Sequence, residues 1–242
     1  MAQYFSKALF YKEWKNIRWI TIFMTLSLIF FKINPIMAKV DLLKKGRATI
    51  LSIYGGEHWF NFALLGGENV LFVLAFFVLV IALVLISFQG ERQGGTADLL
   101  VSMPFTRRQQ IFTKWVAGVL ALAISFAVAF LFLTAFYQFN TRWIIDPYWI
   151  IPQWVLLHFL FYLSVFSFLL FVQTVMGQNL AAGVVGVISM MVPWYLLSVI
   201  PYYLQVHFNW SYREPVIQTM SSLSGYVFWF ELIDARYDWA SH

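Results

Sequence analysis

The residues able to do chemistry in this chain gather in one stretch, GERQGGTADLLVSMPFTRRQQIFTKW, from Gly90 to Trp115. Glu91, Arg92, Asp98, Arg107, Arg108 and Lys114 stand there between two long apolar runs. General acid–base chemistry needs such groups to converge on one point. Here they are strung along a linker that also carries the helix-breaking pair Gly94 and Gly95. Elsewhere the reactive groups are scattered. His158 lies in a run free of Asp, Glu, Lys and Arg; an ionisable group at membrane depth is a functional candidate by default, but alone it reads as a neutral residue hydrogen-bonded between helices. Glu57, His58 and Glu68 have no zincin spacing and flank glycines, which argues against a metal site. The chain has no cysteine, so disulfides, Cys-ligated zinc, iron–sulfur clusters and thiol catalysis are excluded. No lysine follows a glycine, so a phosphate-binding P-loop is excluded too.

The elements that must position these groups follow from composition. Hydrophobic residues make up 61% of the chain and charged residues 11%, and the mean hydropathy is +0.74, too apolar for a soluble domain. The formal charge of +5 does not point to nucleic acid, because the basic residues fall at the ends of apolar runs and form no patch. A helix needs about 20 apolar residues to cross the hydrocarbon core, where backbone groups must pair internally. Charge-free runs then predict an all-α, polytopic α-helical membrane protein with five transmembrane helices, at about 19–33, 69–89, 115–139, 152–176 and 180–204. The first run is short, and Arg18 and Lys32 are expected to lift their charges toward the interfaces. Lys12, Lys15 and Arg18 before it resemble a signal peptide, but KINPIMAKV is a weak cleavage site and further spans follow, so the helix is read as uncleaved. Gly177, Gln178 and Asn179 mark the turn before the fifth span. Three regions result: an N-terminal interfacial amphipathic helix (1–18), a transmembrane domain (19–204) with a loop at 90–114, and a charged extracytoplasmic tail or loop before a missing last helix (205–242).

Within the first region Phe10, Trp14 and Ile17 are expected to face lipid, with Lys7, Lys15 and Arg18 toward headgroups. Trp14, Trp19, Trp115, Trp143, Tyr148, Trp149, Trp154, Trp194, Tyr202 and Tyr203 near span ends read as interfacial belts. Ala117, Ala121, Ser125 and Ala129 make a small-residue stripe suited to close helix packing, and Ala182 and Gly186 repeat it in the fifth span. Gln153 and Gln173 read as packing or pore-lining groups. Pro193 and Pro201 are expected to kink or end the fifth helix. Counting Lys and Arg on either side leaves the orientation tied.

The linker itself has grammar. Thr96 can cap a short helix with Asp98 in its first turn and Leu99, Leu100 and Met103 along one side; Pro104 stops it, and Thr106 can cap the next helix, with Arg107, Arg108 and Lys114 at headgroup level. Glu91, Arg92, Gly95, Thr96, Leu99, Leu100, Pro104, Thr106, Arg107, Ile111 and Lys114 resemble the pattern between the second and third helices of ABC-2 type transporter permeases, and ALFYKEWKNIRW is similar to the segment before that family's first helix. The expected branch is the Ytr-like permeases of Gram-positive bacteria.

The resemblance implies a non-catalytic permease subunit of an ATP-driven exporter in the bacterial cytoplasmic membrane. It further implies that a cytoplasmic ABC ATPase binds the ATP, so that this chain carries no cofactor, and that a second permease copy or a homologous permease completes the pore. Gly90 to Lys114 would then hold a cytoplasmic coupling helix, with Glu91, Arg92, Gly95, Thr96, Asp98, Leu99, Leu100, Met103, Pro104 and Arg107 at the ATPase. A hydrophobic or amphipathic cargo fits the aromatic spans. The family's sixth helix is expected beyond His242 or to have been removed. An intramembrane enzyme and a non-transporting structural or sensory subunit are the alternatives.

Overall fold

A computed structural model of the protein describes residues 7–44, 58–65, 70–92, 106–176, 179–208, 215–216 and 219–220. Among them there is no strand. The elements are α1 (Lys7–Leu28), a π turn (Ile29–Ile33), α2 (Asn34–Lys44), α3 (Trp59–Leu65), α4 (Val70–Arg92), α5 (Arg107–Phe139), a short 3₁₀ turn (Thr141–Trp143), α6 (Ile150–Met176) and α7 (Asn179–Phe208). Five helical stretches among these residues are long and apolar enough to cross a membrane: Lys7–Lys44, Leu71–Phe88, Arg107–Phe139, Ile150–Met176 and Gly183–Phe208.

The first stretch differs from the sequence expectation. Residue 18 is not a break: α1 runs through it, because Leu9, Glu13, Ile17, Ile20, Met24 and Leu28 form one buried stripe at helical spacing. Ile17 therefore packs inside the protein and not against lipid, while Trp19 is exposed. The helix also passes Lys32. Pro35 has no N–H, and its ring crowds the carbonyl four residues back; the wider π turn ahead of it, closed by the Asn34 N–H on the Ile29 carbonyl, relieves that crowding and lets the rod continue.

The helix α5 starts at Arg107, eight residues before the apolar run at Trp115, where the sequence places a Thr106 cap, and the cap is reciprocal. Gln109 N donates to Thr106 Oγ1 (3.3 Å) and Thr106 N to Gln109 Oε1 (3.0 Å). At the far end of the chain α7 continues through Pro193 and Pro201 without ending, and residues 177–178 before it lie outside the described part.

Packing of α1 on α5 is the most extensive in the bundle; α4 packs against α1, α6 and α7, and α6 against α5, α7 and α3. The stripe Ala117, Ala121, Ser125 and Ala129 is fully buried. It faces α1, since Ser125 Oγ accepts from Thr25 Oγ1 at 3.2 Å and lies 3.3 Å from the Thr21 carbonyl. Gly118 packs under the Phe166 ring of α6, which occupies the space where a Cβ would stand. Gly186 of α7 lies beneath Leu169, whose Cδ2 would be 2.7 Å from an added Cβ; the Ala182 side chain is outside the description. The centre is aromatic. Phe76 of α4 and Tyr162 of α6 pack at a tilt with ring centroids 4.4 Å apart, and the Phe126 ring of α5 lies 5.5 Å from that of Phe76. Trp154 belongs to this core and is fully buried, so it is not part of an interfacial belt; its neighbours Phe126 and His158 hold it there.

Candidate functional site

The N-terminal half of α1, the last turns of α4 and the first turns of α5 meet at one end of the bundle, the end from which residues 93–105 depart. There Lys114 Nζ of α5 lies 3.3 Å from Glu13 Oε1 of α1, with both side chains almost completely buried. The same ammonium donates to the Ser87 carbonyl of α4 and stands 4.9 Å from the Phe88 ring centroid. One cation thus joins three helices. Burying a charge is costly unless it is paired and hydrogen-bonded, and each contact offsets part of that cost. Lys114 was expected at headgroup level; the structure draws it inward because it lies on the small-residue stripe that faces α1, three residues before Ala117.

The positions expected to form a coupling element divide as follows. Glu91 and Arg92 end α4, and their side chains are not described; Arg107 is the exposed first residue of α5. Gly95, Thr96, Asp98, Leu99, Leu100, Met103 and Pro104 lie outside the described residues. What the described part contributes is the frame on which that segment is mounted.

The opposite end of the bundle holds a second set of buried charges. Asp146, fully buried between α5 and α6, accepts from the backbone N–H groups of Phe60 (3.1 Å) and Asn61 (2.9 Å) in the first turn of α3. Its other oxygen lies 2.8 Å from His58 Nδ1, and Trp59 Nε1 donates to the Trp143 carbonyl (3.0 Å). Lys32 reaches the Leu64 carbonyl near the last turn of α3 (3.1 Å) and stands 5.3 Å from the Trp154 ring centroid. It is buried in protein and does not rise to an interface, because that carbonyl and that ring give the ammonium partners inside.

His58 thus pairs with a carboxylate, and Glu57 and Glu68 lie outside the described residues. Among the described residues no group of three or more His, Cys, Asp or Glu could hold a metal. The His158 Nδ1 donates to the Trp154 carbonyl at 2.9 Å, one turn back in its own helix, where the sequence reading placed a bond to a neighbouring helix. Its ring stands 6.4 Å from that of Phe72 in α4. Gln173 is buried and Gln153 exposed.

Sequence reasoning passed over Glu13 and Asp146. Glu13 had a signal: it falls four residues after Leu9 and four before Ile17, an acid on the apolar stripe. Asp146 had none at the level of spacing, since its partners are 85 and more residues away.

Five helices long and apolar enough to cross a membrane, among the described residues, define a multi-pass α-helical membrane protein. A family model described as ABC-2 family transporter protein matches residues 8–224, and the chain belongs to that family. It is the membrane permease component of an ABC transporter, a class that works with an ABC ATPase subunit. Comparison with curated proteins and with solved structures gives no match.

Proposed function

We propose that this permease belongs to an ATP-driven exporter of the bacterial cytoplasmic membrane and moves a hydrophobic or amphipathic cargo. In this reading it acts as a homodimer, or with a homologous permease, together with two copies of a cytoplasmic ATPase. Residues 90–114 face the cytoplasm, and the face formed by Leu99, Leu100 and Met103 docks on the ATPase. Closure of the ATPases on nucleotide pushes this element, which tilts α4 and α5 and changes access to a path through the membrane. Family membership is the observation that carries the proposal. The mounting of the segment supports it: α4 and the Thr106-capped α5 are rigid rods on either side of 93–105.

The experiment is to purify the chain in lipid nanodiscs with the ABC ATPase of the adjacent reading frame and to introduce Leu99→Asp with Leu100→Asp. Charging an apolar docking face costs binding energy at the centre of the contact. The expected outcome is loss of ATPase binding or of its stimulation by about tenfold or more, the scale of a typical coupling free energy. Unchanged binding together with unchanged stimulation overturns the coupling role.

A further inference from the structure

The Glu13–Lys114–Ser87 contact has a position that the helices' need to pack does not explain. Lys114 lies seven residues into α5 and Ser87 five residues before the end of α4. At about 1.5 Å per residue, the bridge crosses the two helices about one to two turns inside their ends, next to where 93–105 leaves and returns. The bridge joins the two rods at that level, where Thr113 of α5 and Phe88 of α4 are buried as well. Glu13 attaches α1 at the same level, and from there α1 follows α5 through Thr21, Thr25 and Ser125. A force entering through the loop therefore reaches three helices at once and not two independent levers.

We infer that Glu13 and Lys114 are positioning residues for energy coupling: a buried clasp that fixes the base of the 93–105 segment and makes α1 move with α4 and α5. The inference rests on the coupling role proposed above for that segment. Neither residue touches nucleotide or cargo in this scheme; each acts by holding the rods. The charged pair suits the task because its hydrogen bonds have fixed direction, whereas apolar contacts at the same place would let the helices slide. Lys114→Arg retains the charge and the donors, and Glu13→Gln with Lys114→Met removes both charges so that neither is stranded.

The test uses the full chain with its ATPase in nanodiscs and reads turnover per bound ATPase. A second readout comes from nitroxide labels on Lys12→Cys and Phe112→Cys, two exposed positions in a chain without native cysteine. Glu13→Gln/Lys114→Met is expected to bind the ATPase like the parent, to lose about tenfold in stimulated turnover per bound ATPase, and to broaden the α1–α5 distance distribution. Lys114→Arg is expected to keep at least half of the stimulation and the narrow distribution. Parental turnover per bound ATPase in the doubly neutral variant overturns the inference, as does lost turnover that Lys114→Arg does not retain. If Leu99→Asp/Leu100→Asp also leaves coupling intact, the loop reading itself fails; if only the clasp variants are silent, the clasp alone does.

Discussion

At the scale of single residues, this protein places charges where bilayer proteins usually avoid them and gives each one partners from other elements. Glu13 and Lys114 are the clearest case. Removing one member strands the other in a dry site at a cost of about 3–5 kcal/mol, whereas replacing both together is near neutral. Lys114→Met is therefore expected to destabilise the purified chain more than Glu13→Gln/Lys114→Met, and denaturation followed by circular dichroism in detergent measures the order. The reverse order would mean that the pair is solvated. Asp146→Ala has a different signature. It leaves the Phe60 and Asn61 N–H groups without their acceptor, a loss of about 1–3 kcal/mol, and proteolysis should then cut first at residues 58–65. The two pairings also show how far single residues were legible. An acid on an apolar stripe is visible from spacing alone, but its partner is not, because Glu13 and Lys114 are separated by 101 residues and only packing brings them together.

At the scale of elements, hydropathy located the five spans but not how far the first helix runs beyond its apolar stretch. The helix α5 extends to Arg107 because the Thr106 cap, legible in the sequence, sets its start; the first rod continues through the π turn past Lys32 into α2, with the ammonium held inside the protein by the Leu64 carbonyl. The π turn at Ile29–Ile33 precedes Pro35, whose ring crowds the turn before it, yet Pro193 and Pro201 stand in continuous α-helix, so proline alone did not make the π turn legible. The closest helix approach offers a sharp prediction. Gly118→Val drives a side chain into the Phe166 ring, and overpacking of this kind costs about 1–3 kcal/mol. A lower melting temperature, partly restored by adding Phe166→Leu, is the expected result; equal melting of Gly118→Val and parent would show that α5 and α6 are farther apart.

At the scale of the whole molecule, α1, α4, α5 and α6 share one hydrophobic core, with an aromatic centre supplied by α4, α5 and α6, while α7 is the least buried of the five spans. Orientation was not legible from charge, since the basic residues split evenly between the two sides; burial of Lys32 and Lys114 further removes two of them from the interfaces where the positive-inside rule counts. The proposed orientation predicts that Ser102→Cys reacts with an impermeant maleimide only when the cytoplasmic face is accessible, and Thr49→Cys only from the opposite face. Reaction in the opposite sense would invert the protein. The family could be read from the loop pattern, whereas the clasp beneath it and the charges at the far end required the fold. That far end has an electrical consequence of its own. The short helix Trp59–Leu65 lies with an anion, Asp146, at its amino end and a cation, Lys32, at its carboxyl end, the arrangement in which its dipole has lowest energy. The segment thus has a preferred polarity as well as a place, and exchanging the signs of those two side chains would turn the field against it.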